Sequence, residues 1–211
     1  MEIYRTIMKE AVAEQVIERS RFIAHAKPVD TREEAEEFIA EIKAGYRDAT
    51  HNVPAMVIGE KSQIQWASDD GEPQGTSGAP MVQMLTKRGI TNIVIVVTRY
   101  FGGIKLGTGG LVRAYTSSAQ LALEEAGICG VLEMCSMEME IDYTYLSKFQ
   151  KLAGGDFEIA DVQYGEKITM TIHAMTEKIE TVKGMINNIT SGSAVIKKEE
   201  KILAKKPLDI E

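Results

Sequence analysis

The chain has 211 residues, 44% of them hydrophobic and 26% charged, the balance of a folded globular protein and not of a disordered one. No apolar run approaches the roughly 18 residues a membrane span needs, and Met1-Glu2-Ile3-Tyr4-Arg5-Thr6 lacks the basic-then-apolar order of a signal peptide, so a cytoplasmic protein without a membrane partner is expected. A formal net charge of −7 speaks against indiscriminate nucleic-acid binding, and Cys129 and Cys135, six positions apart, fit neither a redox pair nor a zinc site.

Taken in chain order, residues 9–27 read as two strands meeting near Glu18-Arg19-Ser20. Asp30-Thr31 before Glu33-Glu34 form a capping-box pattern, and Ala35, Phe38, Ile39 and Ile42 continue at helical spacing, so 31–44 is an amphipathic helix with an acidic outer face. Residues 53–59 and 63–68 form a hairpin around Gly59-Glu60-Lys61-Ser62. A loop rich in Gly, Asp and Pro fills 68–80, and a short helix runs on to about Arg88. Ile93-Val94-Ile95-Val96-Val97 is an unbroken β-branched run, the mark of a strand buried on both faces. It enters a glycine-dense loop, 102–110, and then a helix from about Leu111 to Glu125. Further on, Cys135, Met137, Met139 and Ile141 alternate with polar residues, as in a strand with one wet face. A helix on Tyr145, Phe149 and Leu152, strands at 156–163 and 167–174, a helix on Ile179, Val182, Ile186 and Ile189, and a strand from about Ala194 complete a β-α-β-β-α-β order, the ferredoxin-like arrangement. The domain boundary is placed at 132/133, giving domains 1–132 and 133–211, with a charged tail, 197–211, that frays.

Two clusters can carry chemistry. Residues 73–123 contain no acid but hold Lys87, Arg88, Arg99, Lys105 and Arg113, together with eight of the eighteen glycines. Within that stretch a buried strand leads through Arg99, Tyr100, Phe101, Gly102, Gly103, Lys105, Gly107, Gly109 and Gly110 into a helix bearing Arg113. That order aims free amides and fixed positive charge at an anion, phosphate being the simplest. The bland alternative is a tight turn whose glycines only relieve crowding. Neither a Walker A loop nor a dinucleotide fingerprint is present. The second cluster, Asp69, Asp70, Gly71, Glu72, Pro73, Gln74, Gly75, Thr76, Ser77 and Gly78, places three carboxylates within four residues. These can hold Mg²⁺, cap turns, or pair with Arg99 or Arg113, and pairing is the expected use, so no metal is assigned. His25, His51 and His173 are scattered, and a lone His51 without an orienting partner reads as structural.

Both blocks, Asp69-Asp70-Gly71-Glu72-Pro73-Gln74-Gly75-Thr76-Ser77-Gly78-x-Pro80 and Val97-Thr98-Arg99-Tyr100-Phe101-Gly102-Gly103-Ile104-Lys105-Leu106-Gly107-x-Gly109-Gly110-Leu111-Val112-Arg113-Ala114-Tyr115, closely resemble the paired signatures of the YigZ/IMPACT family. The resemblance covers essentially the whole chain and matches the bacterial two-domain branch. It implies an α+β first domain like the second domain of a small-subunit ribosomal protein and domain IV of elongation factor G, and a ferredoxin-like second domain like domain V of that factor. It further implies a role in translation control, with no established enzymatic activity. Two positions depart from the family pattern: Ser77 stands where Ala is common, and Val53 where Cys is common after His51-Asn52.

The expectation is therefore a non-catalytic cytoplasmic regulator of translation that needs no cofactor and binds RNA or the ribosome, with a translation-associated protein as a further partner. Arg99, Lys105 and Arg113 would meet phosphate, Tyr100 or Phe101 would stack on a base, and the glycines would permit close approach. His51, Asp69, Asp70, Glu72, Gly75, Thr76 and Gly78 would support the loop. Two alternatives stand beside it: a small phosphotransferase or hydrolase with Mg²⁺ at the acidic loop, and a protein-interaction adaptor.

Overall fold

The computed structural model describes residues 2–208, which form two compact units. One comprises residues 3–130, with 205–208 returning to it, and the other residues 131–204 together with Glu2. The return of the last residues to the first unit differs from the sequence reading, which placed them in the second domain.

All of β1 (Glu2–Ile7) except Glu2 belongs to the first unit, and it is a strand the sequence does not announce. Its Arg5 bridges to Ile90, and its Ile7 is buried in the first core. The unit's sheet has the order β2-β3-β6-β4-β5, built from β2 (Ala11–Ile17), β3 (Ser20–Pro28), β4 (His51–Ile58), β5 (Ile64–Ala67) and β6 (Ile93–Tyr100). Every pairing in it is antiparallel. The unbroken β-branched run of β6 is explained by what covers its two faces. Ile93, Ile95 and Val97 enter one core with α2 (Gly78–Lys87) and α3 (Gly107–Ala126). Val94 and Val96 enter a second core with Phe38, Ile39 and Ile42 of α1 (Arg32–Gly45). Residues 93–97 of β6 are thus apolar without a break because successive side chains point into different cores.

Thr31 caps α1, its hydroxyl accepting from the Glu34 amide at 3.2 Å, while the Asp30 amide donates to the Glu34 carboxylate at 2.8 Å. That reciprocal arrangement ends the β3–α1 connection sharply. Strand β4 lies on the other side of β6 from β3, so that β3, β6 and β4 run side by side.

The second unit follows the order β7 (Ile128–Ile141), α4 (Tyr143–Leu152), β8 (Phe157–Tyr164), β9 (Ile168–Met175), α5 (Ile179–Thr190) and β10 (Val195–Pro207). Strands β7, β9 and β8 are neighbours in that order, and β10 also pairs with β7, the neighbour pattern of a βαββαβ unit; β1 adds a fifth strand on β7. Met137, Met139, Ile141, Met170 and Ile172 form its core with Phe149, Val182 and Ile186. No linker marks the 132/133 boundary, because β7 runs through it without a break. The tail is also corrected: 195–207 is a strand, and residues 209–211 lie outside the described part. Its charges are matched rather than merely solvated, with Lys197 on Glu140 at 2.8 Å, Lys201 on Glu133 at 2.9 Å and Glu199 on Lys183 at 2.9 Å.

Candidate functional site

Strand register sets up the site. His51 of β4 and Phe22 of β3 are the cross-strand partners of Arg99 on β6. The three side chains therefore form a row on the sheet face that α3 covers. Strand β6 ends just beyond them, and the loop from Phe101 to Leu106 turns the chain over the row into α3. Gly102 is required at that turn by a close approach: a Cβ there would lie 2.0 Å from the Arg19 carbonyl group. Glycine at 102 thus serves contact with the chain's own β2–β3 turn, and not approach to a ligand. Gly103 has φ +87° with open space around it, so backbone conformation is its only demand.

The acidic loop closes the row from the side. Its three carboxylates point in three directions, and one of them, Glu72, makes the expected pairing with Arg99. Asp69 accepts from the Gly75 amide at 2.7 Å, the Gly78 amide at 2.9 Å, and both the amide and hydroxyl of Ser77 at 3.2 and 2.6 Å. Burial works against its charged form, but the Ser77 hydroxyl and these amides outweigh that and hold the Asp69 carboxyl below its ordinary range. Ser77, where the family pattern favours Ala, is therefore part of the knot at the start of α2. Asp70 accepts from Lys43 and from the Asn52 amide, each at 2.7 Å. Thr76 turns its hydroxyl back to the Pro73 carbonyl at 2.6 Å, and a Cβ at Gly78 would collide with the Ser68 carbonyl at 2.7 Å. Asp69 is thus bound into the loop's own construction, and Asp70 ties the loop to α1 and β4.

Glu72 alone reaches the row. Its Oε1 accepts from Arg99 Nη1 at 2.7 Å and from the Tyr115 hydroxyl at 2.7 Å, and its Oε2 lies 3.8 Å from His51 Nε2. The Arg99 and Glu72 side chains are 5% and 3% exposed. Arg99 also donates to the Ser20 hydroxyl at 3.2 Å, and its guanidinium carbon stands 5.4 Å from the ring centres of both Phe22 and Phe101. Such a desolvated pair holds together because each charge is matched and flanked by aromatic faces. Burial, reinforced by donation to Glu72, pushes the Tyr115 hydroxyl well above the usual phenol range, so it stays a donor.

The expected site residues thus separate. Arg99 is a buried, neutralised cation and not a surface phosphate ligand. Tyr100 faces the other side of the sheet, where its hydroxyl donates to Asp48 at 3.0 Å and Arg21 lies over its ring at 5.7 Å. Gly107, Gly109 and Gly110 are not loop residues, since α3 starts at Gly107 and not at Leu111. Gly75, Thr76 and Gly78 serve the acidic loop. What remains open to solvent is Phe101, Gly103, Lys105, the glycine-rich first turn of α3, and Arg113.

Both blocks do meet. A cleft of about 430 Å³ is lined by Thr50, His51, Glu72, Arg99, Phe101 and Lys105 among others, with Pro73, Leu106 and Leu111 as apolar wall and Gly107 and Thr108 at its mouth. A second depression of about 450 Å³ lies across Lys105 and Leu106, bordered by Glu18, Gly110, Arg113 and Ser117. The sequence reading assigned no role to Tyr115 or Ser20. Tyr115 was detectable, since it stands four residues after Leu111 in the inward stripe of α3, and a buried tyrosine needs an acceptor. Ser20 gave no such signal, being an ordinary turn residue by composition.

This α+β unit, with its paired loops over a buried Glu–Arg–Tyr hub, belongs to a class seen in other proteins. The Impact N-terminal domain family matches residues 18–123, and a domain of unknown function, DUF1949, matches residues 139–193. The chain belongs to the IMPACT family. It is 41% identical over 198 residues to the IMPACT family member YvyE of Bacillus subtilis, covering 93% of this chain and 91% of that one. It is 33% identical over 180 residues to YigZ of Escherichia coli, covering 84% and 88%. A solved structure described as a hypothetical protein matches with a TM-score of 0.59 at 31% identity, over 93% of this chain and 97% of the other.

Proposed function

We propose that this chain is a non-catalytic regulator of translation that binds RNA, alone or on the ribosome, at the cleft where the two signature blocks meet. The observation that carries the reading is the composition of the cleft and of the depression that adjoins it at Lys105. Lys105 lines both and Arg113 borders the depression, each exposed and with no ion pair to an acidic side chain among the described residues, and Phe101, 46% exposed, presents a ring in the cleft beside Lys105. Cations plus an exposed ring suit a single-stranded nucleic acid, which offers phosphates and unstacked bases together. Glu72 does not oppose this, because Arg99 neutralises it. Membership of the IMPACT family, whose signatures imply a role in translation control, supplies the biological setting.

The test is binding of a short single-stranded oligoribonucleotide followed by fluorescence anisotropy across a salt series. Lys105→Ala combined with Arg113→Ala should weaken binding and flatten the salt slope by about 1.4, since each phosphate contact on a single strand contributes about 0.7. Unchanged affinity and slope in a variant with the parent melting temperature would remove the site assignment. Ribosome association that survives the same substitutions would point to an adaptor instead.

A further inference from the structure

The floor of the cleft brings two polar atoms together, Glu72 Oε2 and His51 Nε2, 3.8 Å apart. Glu72 Oε1 is engaged twice, by Arg99 and Tyr115, whereas Oε2 has His51 Nε2 nearby at 3.8 Å, beyond hydrogen-bond reach. His51 Nδ1 lies 2.8 Å from the Asp70 carbonyl oxygen. A carbonyl can only accept, so Nδ1 carries the proton and Nε2 of the neutral ring offers a lone pair. With the ring neutral, both atoms are acceptors on one cavity, and a group with two N–H bonds can donate to both at once. Behind them, Arg99 Nε is buried and has no partner.

The walls specify the remainder of the ligand. Phe101, Pro73, Leu106 and Leu111 are apolar, Lys105 stands at the rim, and the first amides of α3 open at Gly107 and Thr108. A volume of about 430 Å³ suits one nucleotide and excludes a duplex.

We infer that the cleft takes a single unstacked nucleotide whose base carries an exocyclic amino group beside a ring-nitrogen acceptor, adenine or cytosine, with the amino nitrogen between His51 Nε2 and Glu72 Oε2. Its ring lies along Phe101, and its phosphate faces Lys105 and the start of α3. The inference rests on the RNA reading above and names the ligand of that site. Uracil is refused because it presents a carbonyl oxygen where cytosine presents the amine, so lone pairs would meet lone pairs and the acceptors would stay unpaired.

Cytidine and uridine 5′-monophosphates provide the test, since they differ at this one group. Each is titrated against a labelled oligoribonucleotide bound to the full chain at fixed salt. Cytidine monophosphate should compete at least about tenfold more strongly, the effect of one well-placed pairing. His51→Phe should abolish that preference, and Phe101→Ala should weaken both nucleotides alike. Equal competition in the parent protein overturns the inference, as does a preference that survives in a folded His51→Phe variant. If that variant does not fold, the comparison in the parent protein decides. Oligoribonucleotide binding that depends on Lys105 and Arg113 but resists both mononucleotides refutes this inference and leaves the RNA reading standing. No oligoribonucleotide binding refutes both.

Discussion

Glu72→Ala is the substitution that tests the site's construction most directly. It leaves the Arg99 guanidinium, whose side chain is 5% exposed, without its counter-charge. Breaking a buried ion pair from one side costs about 3–5 kcal/mol, because the remaining charge stays desolvated. The Tyr115 hydroxyl loses its acceptor as well, worth about 1–3 kcal/mol by itself. Both donors share Oε1, so the losses overlap, and about 4 kcal/mol is expected in total. Glu72→Gln keeps an oxygen for Tyr115 and should cost less, about 3 kcal/mol. Replacing both partners, Glu72→Leu with Arg99→Met, should recover most of the loss, since a pair of apolar side chains leaves no charge behind. Urea unfolding followed by fluorescence is suited to this, because the single tryptophan, Trp66, lies on β5 of the same unit. A Glu72→Ala variant within about 1 kcal/mol of the parent, or a double variant less stable than the sum of the singles, would refute the hub.

Gly102→Ala and Gly103→Ala separate two demands that look alike in sequence. The first drives a Cβ to 2.0 Å from the Arg19 backbone and should cost more than about 2 kcal/mol, while the second meets open space and should cost only the roughly 1 kcal/mol of a positive φ, read as melting temperatures. His25, buried on β3 with Nε2 unpartnered, is pushed by burial below its ordinary pKa of 6.5. The unfolded chain therefore takes up the proton first, so its contribution to stability is complete above about pH 6.5 and falls away as pH drops below that value. Urea midpoints from pH 5 to 8 should lose that slope in His25→Phe, and an unaltered slope would exclude His25 as its source.

Elements with a clean period were legible, and the failures have physical causes. The β6 run, the α1 cap and the βαββαβ order follow from local signals that tertiary contacts reinforce. Strand β1 carries no comparable pattern, with Glu2, Tyr4, Arg5 and Thr6 among its six residues, and depends on its neighbours. The strand at 195–207 reads as a solvated charge run until Glu133, Glu140 and Lys183 are placed opposite Lys201, Lys197 and Glu199. The start of α3 was misread because glycine is a poor helix residue, and three glycines in four positions suggest a loop. At the site, residue types identified the blocks and the pairing of a loop carboxylate with Arg99 or Arg113, but they could not tell which of the two arginines is buried against it and which faces solvent.

That last distinction decides how charge should be read. The 51 residues from 73 to 123 hold five cations and no acid, which suggests a basic surface inside an acidic protein. Glu72 lies one position before that stretch, and through Arg99 it cancels one of the five in a buried pair. Lys87 and Arg88 sit at the end of α2, away from the cleft lining. Only Lys105 and Arg113 remain beside the start of α3. Two cations anchor one or two phosphates and cannot hold a long backbone track, whose affinity needs many such contacts. On the RNA proposal, binding at this cleft must then draw on contacts to a base, and a difference in affinity between oligoribonucleotides of unlike sequence should persist at salt concentrations that abolish simple phosphate attraction; a difference that vanishes with salt would refute the base contact.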